Sequence, residues 1–159
     1  MTRALALDLD SVIGDTRPLW REWLADAARR YGSIAPLDPA TLAEDRVEAA
    51  SQLDRWAEAG IGDWRSALGR FAEDRAPLHF RRDPETSTAL RRLGANGVRI
   101  GAFTDAPGPL ANVAIAHLGL GRRLDSLEAG TAALERLLMT LGENALVVRS
   151  SDELRRLAQ

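Results

Sequence analysis

The order of helix and strand signals along this chain leaves few folds open to it. From residue 83 onward the two alternate: Asp83-Pro84 starts a helix ending near Gly97, Val98–Phe103 reads as a strand, and Asp105–Leu118 as a helix. Leu124–Leu127 reads as a short strand, Thr131–Leu141 as a helix, Ala145–Val148 as a strand and Ser151–Leu157 as a last short helix. A short apolar run near the start, from Ala4 to Leu9, suits a central strand buried on both faces. Alternation of this kind builds a parallel sheet with helices on both sides.

The stretch between the first strand and residue 83 behaves differently. Thr16 is placed to cap a helix with Pro18 in its first turn and Leu19, Trp20, Trp23, Leu24 and Ala27 on one face, closed by Gly32. Asp38-Pro39 opens a second helix carrying Leu42, Val47, Ala50, Leu53 and Trp56 and ending near Gly60. Asp63 caps a third, with Trp64, Ala67, Leu68 and Phe71. Three helices with no strand between them read as an inserted all-helical subdomain, residues 16–77, within an α/β core made of residues 1–15 and 78–159. All four tryptophans fall in the insertion, where packing is the first role to expect of them.

Composition narrows the chemistry. A chain of 159 residues, 45% hydrophobic and 28% charged, can bury a real core, which argues against wholesale disorder. A net charge of −2 with basic residues dispersed among carboxylates does not point to nucleic acid. The absence of cysteine removes disulfides, thiol catalysis and cysteine metal sites. All 21 basic residues are arginine, so Schiff-base chemistry and any phosphate site built on a lysine ammonium are excluded as well. No apolar stretch is long enough to span a membrane, and the first one meets Asp8 too early for a signal sequence, so a cytoplasmic location is expected.

In a parallel α/β sheet, ligands bind at the carboxyl ends of the strands. The residues there are Asp8 and Asp10, then Thr104 and Asp105, then Arg149, Ser150 and Ser151. Two carboxylates at i and i+2 repel unless a cation lies between them, and such a pair suits a nucleophile beside a general acid. Equally, Asp10 could only cap a turn.

The segment from Ala6 to Thr16, with Asp8-Leu9-Asp10-Ser11 and Asp15-Thr16, resembles the first motif of the haloacid-dehalogenase-like (HAD) superfamily. Val98–Thr104, an apolar strand ending in threonine, is similar to that superfamily's second motif, and the helical insertion stands where many members carry a cap. The resemblance implies a Rossmann-like parallel sheet, a capped site and phosphoryl transfer through an aspartyl-phosphate. On that pattern Asp8 attacks phosphorus, Asp10 serves as acid and base, and Thr104, with Asp105 and Arg149 nearby, holds the phosphate. Magnesium would be held by Asp8, Asp10 and Asp152, and the substrate would be a small phosphorylated molecule. Retention of Asp10 favours phosphate over halide.

The chain also departs from the pattern. Ser11 replaces the usual glycine, the basic residue of the third motif has no lysine to supply it, and Ser150 stands where the fourth motif has its metal-binding aspartate. Arg122 and Arg123 lie slightly upstream of the third-motif stretch, as substitutes or as solvated loop charges. Ser150-x-x-Glu153 is also a capping box, which needs no metal. Arg149 could turn its fork into the vacated metal position, onto Asp8, Asp10 or an anion, or could face solvent. Neither His79 nor His117 has ligand spacing. Two functions follow: a magnesium-dependent phosphohydrolase, or a catalytically degenerate relative that binds a ligand or a protein partner. An open sheet edge beyond the fourth-motif strand raises the expectation of a homodimer.

Overall fold

The computed structural model describes residues 3–159. Four strands, β1 (Ala4–Asp8), β2 (Arg99–Thr104), β3 (Ser126–Ala129) and β4 (Leu146–Val148), form one parallel sheet in the order β3-β2-β1-β4. The register sets Ala6 opposite Gly101 on β2 and opposite Val147 on β4. The chain runs outward from β1 through β2 to β3, then returns to lay β4 on the other side of β1. The strand order therefore reverses between β1 and β4. The α/β expectation holds, although such sheets serve many unrelated families.

The eight α-helices among the described residues are α1 (Arg17–Tyr31), α2 (Pro39–Leu42), α3 (Arg46–Trp56), α4 (Trp64–His79), α5 (Pro84–Ala95), α6 (Gly108–Leu118), α7 (Ala133–Leu141) and α8 (Ser151–Leu157). Side chains alternate across β1 with a period of two. Ala4 and Ala6 face α7, where they meet Phe103, Leu137 and Leu141. Leu5 and Leu7 face the opposite side and join Ile100, Trp20, Leu68, Leu110 and Leu154. The α7 face is lined with small residues, and a β-carbon on Gly101 would lie 2.5 Å from Leu137 Cδ1. That lack of bulk lets α7 sit close against the strands.

The helical insertion shares its core with the sheet. Trp20, Trp23 and Trp64 are fully buried and pack in series, Trp20 stacked on Trp23 and Trp64 tilted against it, with ring centroids 5.4 Å and 5.8 Å apart. The same apolar cluster continues from them into Leu5, Leu7 and α6 without a break. Among the described residues no helix is long and apolar enough to cross a membrane.

Three local expectations change. The single helix foreseen from Pro39 to Gly60 is broken at residues 43–45: Asp38 accepts the Ala40 N–H to cap α2, and Asp45 accepts the Glu48 N–H to cap α3. After α3 the chain makes a single π-helical turn, Ala57–Ile61. Thr16 precedes α1 but does not cap it. Asp15 accepts the Arg17 N–H at 3.0 Å, and the Thr16 hydroxyl turns inward. After residue 97 the strand and helix limits move by at most three residues, and the ends at Leu118, Leu141 and Val148 and both limits of α8 stand as expected.

Candidate functional site

A cleft of about 530 Å³ opens at the carboxyl ends of β1, β2 and β4, beside the point where strand order reverses. Asp8 ends β1. Directly after it, residues 9–13 make one π-helical turn closed by the Gly14 N–H on the Leu9 carbonyl at 2.9 Å. This turn carries Asp10 and Ser11 back over the strand end. Single π turns recur at functional sites because they reposition side chains that a regular helix would rotate away.

Asp10 lies at the centre of a buried polar cluster. Its Oδ1 accepts the Thr16 N–H at 2.8 Å and the Thr16 hydroxyl at 2.5 Å. Its Oδ2 accepts Arg46 Nη2 at 2.8 Å and the Thr104 hydroxyl at 2.7 Å. Burial alone would push the Asp10 pKa up. The Arg46 charge, followed by the hydrogen bonds from Thr16 and Thr104, outweighs it and holds the carboxyl below the ordinary value. Asp10 is therefore an ionised carboxylate with both oxygens fully engaged.

Arg46 is the residue that sequence reasoning missed. It opens α3, its side chain is 4% exposed, and it also donates to Thr16 Oγ1 at 2.6 Å and pairs with Asp105. Thr104 is buried, gives its proton to Asp10, and accepts the Ala106 N–H at 3.2 Å. Asp105, an expected phosphate contact, is instead the more exposed partner of Arg46.

Asp8 lies to one side of this cluster. Its Oδ2 accepts the Ser11 hydroxyl at 3.2 Å and stands 3.5 Å from Arg149 Nη1. No hydrogen bond or ion pair to Asp8 Oδ1 occurs among the described residues. Arg149 follows β4, so it and Asp8 face each other across the strand-order reversal. The guanidinium lies over the Phe103 ring, 5.5 Å from its centroid, and is 60% exposed. It reaches Asp8 singly, without the bidentate geometry considered above, and it does not reach Asp10.

The remaining expected residues lie elsewhere. Asp152 is 83% exposed and pairs with Arg155 at 3.4 Å, outside the cleft. Arg122 and Arg123 are exposed on the turn before β3, at the amino end of the sheet. Arg136 on α7 binds the loop that lines the cleft, donating to the carbonyls of Thr131 at 3.0 Å and Ala129 at 2.6 Å. His79 pairs with Glu22, and His117 is exposed on α6.

Magnesium wants a near-octahedral shell of oxygens, including one or two carboxylates. Of the expected donors, the Asp10 carboxylate has both oxygens engaged and leaves only its backbone carbonyl, Asp152 is outside the cleft, and Asp8 is faced by a guanidinium. Ser150 is held in the α8 cap, its hydroxyl accepting the Glu153 N–H at 3.2 Å. Among the described residues no three His, Cys, Asp or Glu side chains form a group that could hold a metal. This donor set does not fit magnesium. Replacing Ser150 with alanine is expected to lower stability by about 1 kcal/mol, the usual loss of a helix cap, in thermal unfolding with or without added magnesium. A loss seen only with magnesium would assign Ser150 to a metal instead.

No family model matches this chain, and no curated protein matches it.

Proposed function

We propose that this is a HAD-like protein that binds a small phosphorylated or carboxylated molecule in its cleft without hydrolysing it. The observation that carries the reading is the state of Asp10. A general acid must hold a proton near neutral pH, and Asp10 is held ionised by four hydrogen bonds, one of them from a buried arginine. The missing third-motif cation and the poor fit to magnesium point the same way. Losing one charge-stabilising donor in such chemistry costs about 10²–10³ in rate.

Two features support an anionic ligand. The Arg149 fork stands half-free at the cleft, over the Phe103 ring. The first turn of α7, Ala133–Glu135, also lines the cleft, and unpaired backbone N–H groups at a helix start favour anions. The helical insertion takes the place of the superfamily's cap under this reading.

Phosphohydrolysis is the second reading, favoured by the free Oδ1 of Asp8 at the cleft floor. It requires Asp10 to be released from Arg46 and from Thr104. A panel of phosphorylated metabolites, assayed with and without magnesium on wild type and Asp8→Asn, separates the two. Wild type is expected to turn over no faster than Asp8→Asn, while inorganic phosphate raises the melting temperature of wild type but not of Arg149→Ala. Magnesium-dependent turnover abolished by Asp8→Asn would establish the hydrolase instead.

A further inference from the structure

The two edges of the sheet are finished differently. On the β3 side Arg136 reaches from α7, donating to the Ala129 carbonyl at 2.6 Å and pairing with Glu128, so charge guards that edge. β4 forms the other edge. It pairs with β1 alone, and its outward N–H and C=O groups meet no partner among the described residues. Leu146, Val147 and Val148 are all apolar, and Leu146 is 36% exposed. Proteins commonly blunt a free edge with a charge or a proline, and this strand contains neither.

Apolar surface continues from the edge onto α7. Ala145 and Val147 lie on the α7 face of the sheet, partly buried. On α7 itself, Leu137 and Leu141 point at Gly101 of β2, and Arg136 falls on the β3 side. Helical rotation then sets the partly buried Leu134 and Leu138 on the β4 side. Leu134 and Arg149 accordingly line the same cleft.

The ends of β4 carry opposite charges. Glu143 lies in the turn before the strand, closed by the Ala145 N–H on the Gly142 carbonyl at 3.1 Å, and is exposed without an ion pair among the described residues. Arg149 follows the strand, its Nη1 near Asp8 and its Nη2 without a partner among the described residues. A second copy running parallel would set glutamate on glutamate and arginine on arginine. Running antiparallel about a twofold axis at Leu146, it sets Ala145 against the partner's Val147 and Glu143 beside the partner's Arg149, twice over.

We propose that β4 pairs antiparallel with β4 of a second copy of this chain, centred on Leu146, so that the two sheets become one with both α7 helices on the same face. The pairing brings the partner's Glu143 to the Arg149 that borders the cleft. It does not rest on the cleft being a ligand site, because it is read from the edge and its charges alone.

Sedimentation velocity on the full chain over a concentration series tests the pairing. Wild type is expected to pass from monomer to dimer as concentration rises. Leu146→Lys sets two ammonium groups at the axis and should weaken the dimer at least about tenfold, with the circular dichroism spectrum unchanged. Glu143→Arg, in an exposed turn, should weaken it about fivefold, and adding Arg149→Glu should return it to within about twofold of wild type. If Leu146→Lys does not fold, the charge exchange carries the test. Wild type that stays monomeric throughout the series would overturn the pairing, as would a dimer that Leu146→Lys leaves intact. A dimer indifferent to the charge exchange would overturn the antiparallel register.

Discussion

Asp10→Ala is expected to lower the unfolding free energy by about 3–5 kcal/mol in urea titration, because it strands Arg46 in the interior without its buried partner. Domains of this size are stable by only about 5–15 kcal/mol, so the loss is a large share of the total. Asp8→Asn, two residues away, should cost less than about 1 kcal/mol. Asp8 is partly exposed, and its arginine contact is long and solvent-screened. The contrast is informative because two aspartates of one catalytic pair would both be dispensable for folding. An Asp10→Ala variant as stable as Asp8→Asn would show that the Arg46 cluster does not hold the fold.

The same substitution changes the response to acid. Folding lowers the Asp10 pKa below its ordinary 3.8, so as the pH falls the unfolded chain takes up that proton first. The Asp10 contribution is complete above about pH 5 and is lost as the pH drops through the folded value. Asp15, whose burial is outweighed by Arg17, and the helix-capping Asp38, Asp63 and Asp83 are also lowered and remain in the variant. Wild type should therefore destabilise more steeply below pH 4 than Asp10→Ala, in urea titrations repeated across that range. Equal slopes would mean that Asp10 is not held ionised by the fold.

Trp23→Ala carries the other large effect, an expected loss of about 3–5 kcal/mol from removing a buried aromatic side chain. Trp23 is fully buried between Trp20 and Trp64, so its ring joins α1 to α4. The melting temperature should fall by more than about 8 °C. Trp23→Phe separates packing from polarity. The Trp23 indole N–H has no hydrogen-bond partner among the described residues, so phenylalanine removes an unsatisfied donor while keeping an aromatic ring. That variant should lose only about 1 kcal/mol. Similar losses for both would mean that the indole N–H contributes after all.

The strands and most helix starts were legible because they depend on local chemistry. Asp-Pro at 38–39 and 83–84 and Ser150-x-x-Glu153 each put an oxygen on the N–H groups at a helix start, and each does so in the structure. Asp8 and Thr104 were legible as strand-end residues because the sheet is parallel. Arg46 was not, and the reason is phase. A helix read as continuous from Pro39 places Val47 and Ala50 inward. The break at residues 43–45 resets the rotation, so the buried stripe is Arg46, Ala49 and Leu53. Asp45-x-x-Glu48 was the available signal for that new start. Arginine on an inward stripe still reads as a surface residue until its carboxylate partners are known, and those come from 36 and 59 residues away. Thr16 failed as a cap for a related reason: its hydroxyl had a distant partner that local rules cannot see.

The wide sequence separation of this cluster also bears on how the chain folds. Thr104 and Asp10 are 94 residues apart, and Arg46 meets Asp105 across 59. Loop closure makes such pairings slow to form, while α1, α4 and the tryptophan stack can assemble from nearer neighbours. A partly folded chain that buries Asp10 before α3 arrives must desolvate a lone carboxylate, which raises the energy of half-built states. The cluster thus acts as a checkpoint on cooperativity. Its energy resists unfolding more than it speeds folding, and it makes the native state long-lived around the cleft.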